Sequence, residues 1–379
     1  MVNFKVIISI LATLMCISQA QALETAAKQA ILIDAESGEV LYQKNEDEQM
    51  APSSMSKIMT AYIAFEKLKS GEITLDTEVP ISKKAWETGG SKTFVHVDTK
   101  VRFEDLMRGM VVQSGNDATI ALAEGIAGSE EAFADLMNAK ATQLGLTESH
   151  FANSTGLPND EHYMTARDLA TLGERLVKDF PENLHYFSET EFTYNGITQP
   201  NRNTLLGEYG IDGLKTGYTE KGGYGLVATS QKDGMRLIAV VNGLKKEQER
   251  LDESKKLLAY GFANFKKTLA IKKGAEIARI PLWYGSDSEI IVTASDDINL
   301  VGSAITASEL EKKVEYSSPL VAPITKGQKI AELTILSKGR TLLKKEIVAE
   351  QDYERGSIFK RGYQNAKYKL KELLSGLST

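Results

Sequence analysis

Apolar residues fall in two short runs near the start of the chain, Ala30-Ile31-Leu32-Ile33 and Val40-Leu41-Tyr42, on either side of Ser37-Gly38. Short apolar runs about a Gly-containing turn predict a β-hairpin. After Pro52 the period lengthens. Ile58, Tyr62, Phe65 and Leu68 recur every three or four residues, which predicts a helix running to Gly71. Further helices are predicted at about 102–113, 116–127 and 130–144, the last opened by Ser129 and capped by Gly145. Thr165 followed by Asp168 has the form of a capping box, opening a helix to about residue 178. Strand-like runs then return at 211–218, 224–230 and 236–241, separated by Lys221-Gly222-Gly223 and Lys232-Asp233-Gly234. A helix over about 247–265 closes the region. Strands at both ends with helices between them predict an antiparallel sheet with its helices segregated, an α/β (α+β) unit over residues 23–265.

From 266 to 353 the pattern is different. Short runs at 277–282, 290–294, 313–316, 330–335 and 342–349 are divided by Gly, Asp, Ser and Pro, which predicts a small all-β domain. The tail, 354–379, changes again. Phe359, Tyr363, Ala366, Leu370, Leu373 and Leu377 form one helical stripe, with Lys360, Arg361, Lys367, Lys369 and Lys371 around it. A basic amphipathic helix at a chain end is expected to lie on a membrane surface.

Composition narrows the function. The chain has 379 residues, 42% hydrophobic and 25% charged, an ordinary balance for a globular protein. Its formal net charge of −6 gives no support to nucleic-acid binding. Residues 1–22 have the plan of a secretory signal peptide: Lys5, an uncharged apolar run from Val6 to Ser18, and a small-residue cleavage site at Ala20-Gln21-Ala22. That run is too short to span a bilayer. The only cysteine, Cys16, lies inside it, so the mature chain is expected to have no disulfide, thiolate metal site or cysteine nucleophile. Export without disulfides fits a bacterial periplasm or cell surface. The four histidines, His96, His150, His162 and His185, show no metal-ligand spacing and read as packing or surface residues; no metal or cofactor is expected.

Three short motifs carry the chemistry: Ser54-Met55-Ser56-Lys57, Ser114-Gly115-Asn116 and Lys215-Thr216-Gly217. Ser54 and Lys57, three apart at a helix start, share a face, so the lysine amine can approach the hydroxyl. A serine nucleophile needs a base, and a lysine serves as one only when burial or a second cation lowers its pKa. Lys215 can be that cation. The helix start at Ser54 offers a backbone N–H to an oxyanion, and the Tyr218 N–H can be a second donor. Ser114, in an interhelical loop, can relay a proton between Lys57 and a leaving amine, and Asn116 can bond a substrate amide. Gly217, on a strand, permits close approach of a ligand backbone. Each triplet alone reads as an ordinary turn or strand end; together they suit acyl transfer through a serine ester.

With these motifs the chain resembles the low-molecular-mass penicillin-binding proteins that act as D-alanyl-D-alanine carboxypeptidases. Gln113–Asp117, Asn153-Ser154-Thr155-Gly156-Leu157, Thr165-Ala166-Arg167-Asp168 and Asp212–Gly217 are similar to segments of that family. The resemblance implies a β-lactamase/transpeptidase-like catalytic domain, a β-rich second domain and a C-terminal membrane anchor. It implies Ser54 as nucleophile, Lys57 as general base, Ser114 and Asn116 in the cleft, and Lys215, Thr216, Arg202 and Arg250 at a substrate carboxylate. Peptidoglycan stem peptides and β-lactams are the implied ligands, and the outer face of the inner membrane is the implied location. Tyr218 stands where some members have histidine. A serine β-lactamase would share these motifs but needs a deacylating glutamate, and Glu148, Glu161 and Glu174 do not lie in a lactamase-like segment. A D,D-endopeptidase and a non-catalytic wall adaptor also remain open.

Overall fold

The computed structural model describes residues 23–366, apart from 304 and 306. The expected signal segment, with Cys16, and the tail positions Lys367, Lys369, Leu370, Lys371, Leu373 and Leu377 lie outside the described residues.

The two ends of the N-terminal unit meet in one sheet. Five strands pair antiparallel in the order Val40–Lys44, Gln29–Asp34, Met235–Leu244, Gly223–Lys232 and Ile211–Thr219. Alternation along these strands sends Ile31, Ile33, Leu214, Val227, Ile238 and Val240 into a large core shared with the helices. Ala30, Leu32, Leu226, Ala228, Leu237 and Ala239 enter a second core with Leu257 and Leu258 of the closing helix, Glu247–Asn264. Both faces are covered, which is why these strands read as apolar runs and not as polar–apolar alternation. The predicted hairpin, the three later strands and the closing helix stand where the pattern placed them.

The helix Lys57–Ser70 runs through the main core. Every residue from Lys57 to Phe65 is buried, and Gly71 ends the helix in the left-handed conformation at φ 75°. A 3-10 turn, Ser53–Ser56, leads into it. Ser54 therefore sits in that turn, and Lys57 is the first α-helical residue. Helices Phe103–Val112, Asn116–Ala127, Glu130–Leu144 and Ala166–Asp179 follow. Ser129 caps its helix by accepting from the Ala132 N–H at 3.1 Å, and Thr165 from the Asp168 N–H at 3.0 Å. The reciprocal half of the expected capping box is used differently. The Asp168 carboxylate accepts from Glu148 N–H and Ser149 Oγ instead. Short elements too brief for a periodic signal were not legible: the helix Lys83–Glu87 and the ribbons 78–80/100–102 and 191–194/197–200.

Residues 266–348 are strands and turns with one short 3-10 helix, Ala307–Glu309, and form three small sheets among the described residues. Their apolar side chains gather in two further clusters, one around Ile280, Leu282 and Ile330, the other around Ile271, Leu333 and Ile335. Strands Lys266–Ile271 and Ile298–Gly302 join those expected. The molecule is thus an α+β unit followed by an all-β one, and a helix begins over residues 358–366.

One buried carboxylate fixes the loop that flanks the second motif. Asp117 accepts from the N–H groups of Thr93, Phe94, Val95 and Ala118 at 2.8–3.2 Å, and the Asn116 N–H bonds Ser91 O at 2.7 Å. Phe94 is held at φ 68° by these bonds. Asp117→Ala leaves three buried loop amides without their acceptor. We expect a loss of roughly 3 kcal/mol or more in urea unfolding; a loss below roughly 1 kcal/mol would show that the loop holds without Asp117.

Candidate active site

The first two motifs meet at the Lys57 amine. Lys57 is almost wholly buried, with a relative exposure of 1%. Its Nζ has three partners: Ser54 Oγ at 3.0 Å, Asn116 Oδ1 at 2.7 Å and the Thr155 carbonyl at 2.7 Å. Two of these are carbonyl oxygens, which can only accept. A neutral amine spends both its hydrogens on them, and its lone pair is left facing Ser54 Oγ. The protonated amine would donate its third hydrogen to that same oxygen. The tripod thus supports proton transfer in either direction between Ser54 and Lys57.

Electrostatics favour the neutral form. Burial pushes the Lys57 ammonium well below the ordinary lysine range, and the charge of Lys215 adds to the effect. The Asp117 and Glu130 carboxylates oppose it. Neither bonds Lys57: Asp117 is committed to the 93–95 loop, and Glu130 to Ser154 and Lys84.

Each leg of the tripod is fixed from behind. Asn116, the first residue of its helix, donates through Nδ2 to Gly89 O at 2.8 Å, which settles which way its amide points. Both ends of that amide are therefore bonded within the protein, and each keeps one further site, a second N–H and a second lone pair, for the expected contact with a substrate amide. Thr155 lies in a turn closed by Asn153 Oδ1, which accepts from Thr155 N–H, Thr155 Oγ1 and Gly156 N–H. Thr60 Oγ1 donates to Ser154 O at 2.8 Å, tying the turn to the central helix.

Ser114 is placed otherwise than expected for a direct partner of Lys57. Its φ is 63°, and its buried Oγ has no hydrogen-bond partner among the described residues. It carries a strained backbone and an unpartnered hydroxyl two residues before Asn116.

The third motif forms the far wall. Lys215, Thr216 and Gly217 are all buried on the outer strand of the sheet. Burial, with the Arg250 and Arg202 charges, pushes the Lys215 ammonium down to about 7. Arg250 is itself buried and paired with Glu247 at 2.6 Å, and its guanidinium lies 5.7 Å from the centre of the Tyr224 ring. Arg202 Nε donates to Gln113 O at 3.4 Å. Three cations with one carboxylate between them make a place for an anionic ligand group. Gly217 meets its own chain: a Cβ there would come within 2.9 Å of Pro52 O and 3.2 Å of Ser53 Cβ. The glycine lets the strand close against the nucleophile turn, a packing requirement beside the expected ligand approach. Tyr218 is half exposed and packs on Tyr224 with ring centres 4.2 Å apart.

Sequence reasoning missed Thr155 and His162. Thr155 takes part through a backbone carbonyl, which no side-chain motif encodes. His162 is buried against Ser56, with Nε2 2.8 Å from Ser56 Oγ.

Comparison with known proteins places the chain in a family. Residues 16–246 match the D-alanyl-D-alanine carboxypeptidase family, peptidase S11, and residues 265–355 match the C-terminal domain of penicillin-binding protein 5. The chain is 39% identical over 344 residues to the D-alanyl-D-alanine carboxypeptidase DacC of Escherichia coli, covering 88% of this chain and 86% of that protein. It is similar to the crystal structure of penicillin-binding protein 5 from Haemophilus influenzae, with a TM-score of 0.82, 36% identity, and coverage of 88% of this chain and 99% of that one. Penicillin-binding protein D2 from Listeria monocytogenes, in its ampicillin-bound form, matches with a TM-score of 0.59 and 30% identity over 63% of this chain and 98% of its own. The chain belongs to the D-alanyl-D-alanine carboxypeptidase family of serine peptidases, among the low-molecular-mass penicillin-binding proteins.

Proposed function

We propose that this chain removes the terminal D-alanine from peptidoglycan stem peptides through an ester on Ser54, and that β-lactams acylate the same serine. The observation that carries this reading is the tripod that leaves the Lys57 lone pair facing Ser54 Oγ. Lys57 takes the Ser54 proton as the hydroxyl attacks the penultimate carbonyl. Ser114, whose buried Oγ has no partner among the described residues, relays that proton from Lys57 to the leaving D-alanine amine, which returns Lys57 to the neutral form. Lys215 and Thr216 hold the terminal carboxylate, with Arg202 and Arg250 adding positive charge. That carboxylate supplies the counter-charge that Lys215 lacks. The N–H groups of Ser54 and Tyr218 take the oxyanion. Deacylation then uses Lys57 again, on water.

A lactamase reading has no support in the geometry. Glu148 bonds Gln49, Glu174 pairs with Lys178, and Glu161 is exposed; none is a partner of Ser54 or Lys57. Nothing in the site favours cross-linked over linear peptides.

The proposed chain plan is export after Ala22, a catalytic unit to residue 265, a β-rich unit to 353, and a tail that rests on the outer face of the inner membrane. Ile358, Phe359 and Tyr363 are strongly exposed beside Lys360 and Arg361, which suits contact with an anionic bilayer. Among the described residues no helix is long and apolar enough to cross a membrane.

Three outcomes test the reading. D-Alanine release from a peptide ending in D-Ala-D-Ala is expected from the wild type and to fall at least about a thousandfold in Ser54→Ala, with the fold intact by circular dichroism. Mass spectrometry after penicillin treatment should find one adduct on the Ser54 peptide; an adduct elsewhere would refute the assignment. Removal of residues 354–379 should release the enzyme from membranes with its activity kept. Equal recovery of both forms in the membrane fraction would rule out the tail as anchor.

A further inference from the structure

The peptide group between Ser53 and Ser54 is held by a chain of hydrogen bonds in which each direction is forced. The Ala152 backbone N–H lies 3.2 Å from His162 Nδ1 and can only donate, so Nδ1 is the acceptor. The ring proton therefore sits on Nε2, 2.8 Å from Ser56 Oγ. Ser56 Oγ is also 2.7 Å from Ser53 O, a carbonyl that can only accept, so the Ser56 hydrogen goes there. The order is Ala152 N–H to His162, His162 to Ser56, and Ser56 to the Ser53 carbonyl. His162 and Ser56 are buried, with Phe151 edge-on to the imidazole at 5.6 Å. Burial foremost pushes the imidazolium down to about 4, so the ring is neutral, as the Nε2–H form that the bonds require.

The far side of the same carbonyl is closed as well. A Cβ on Gly156, at φ 77°, would stand 1.9 Å from Ser53 O. Ser53 itself is held at φ 52°, a conformation that persists only when its surroundings impose it. A trans peptide is planar, with its O and N–H on opposite sides. Fixing Ser53 O therefore fixes the direction of the Ser54 N–H. That amide heads the turn, where backbone donors have no partner within the helix.

We propose that His162, acting through Ser56, is a positioning residue that fixes the Ser53–Ser54 peptide plane and so aims the Ser54 amide at the oxyanion of the acylation step. The inference rests on the Ser54 ester described above. It gives a role to a histidine that touches neither substrate nor nucleophile.

The test is the rate constant of acylation by a fluorescent penicillin at saturation, measured beside its half-saturation concentration, on wild type, Ser56→Ala, His162→Gln, His162→Leu and the Ser56→Ala/His162→Leu pair. The acylatable fraction of each sample is titrated by its final label stoichiometry, so unfolded protein is not counted. Ser56→Ala is expected to lower the saturating rate constant by about 10- to 100-fold, within the range for a weakened oxyanion donor, with half-saturation within about 3-fold. His162→Gln keeps an N–H for Ser56 and should stay within about 5-fold of wild type, while His162→Leu falls with Ser56→Ala. The pair should lose less than about 3-fold beyond Ser56→Ala alone, as links of one chain do. Wild-type rates in Ser56→Ala and His162→Leu, or losses that multiply in the pair, would overturn the inference while leaving the Ser54 ester standing. A wild type that forms no ester would overturn both.

Discussion

The site depends on a lysine amine buried without a carboxylate in contact. An isolated ammonium is costly to bury, and Lys57 has two carbonyl oxygens and a serine hydroxyl where a counter-ion would stabilise the charge. The result is a base that is neutral where an ordinary lysine is charged. Its orientation follows from the same partners. Acceptors that cannot donate take its hydrogens, and only Ser54 can meet its lone pair. Lys215 contributes at a distance by its charge, and it is itself held down by burial and by the charges of Arg250 and Arg202.

Much of the remaining architecture keeps that arrangement rigid. Three residues near the cleft hold positive φ without being glycine: Ser53, Phe94 and Ser114. Two of them are pinned by neighbours, Phe94 by Asp117 and Ser53 by Ser56 and Gly156. Two glycines are needed for close approach within the chain itself. Gly217 lets the outer strand reach the nucleophile turn, and Gly156 lets the Thr155 turn reach the Ser53 carbonyl. The catalytic geometry is thus set where three distant segments press backbone against backbone.

This explains what the sequence revealed and what it did not. The strands 29–34 and 211–244 and the helix after Pro52 were legible because two-sided burial writes itself as apolar runs and periodicity. Ser54 and Lys57 were legible as a pair because their relation is local, one helical turn. The partnership of Asn116 with Lys57 spans 59 residues and that of Thr155 spans 98, and Thr155 acts through its backbone; neither has a local signature. Gly217 was singled out for a ligand contact, and the packing it permits against Pro52 and Ser53 has no local signature. His162 was read as a packing residue because its bond to Ser56 crosses 106 residues. The brief ribbons at 78–102 and 191–200 were missed because three or four residues cannot display a period.

The most direct test of this account is the titration of the Lys57 amine itself. Lysine enriched in 13C at Cε, with the Lys57 signal assigned by its loss in Lys57→Ala, reports the charge of Nζ by its chemical shift. Burial disfavours the charged form, so the amine is neutral above its lowered pKa and the base is lost as pH falls through it. The account predicts a midpoint clearly below the ordinary lysine value of about 10.4. A midpoint at or above that value would leave Ser54 without its base and contradict the account.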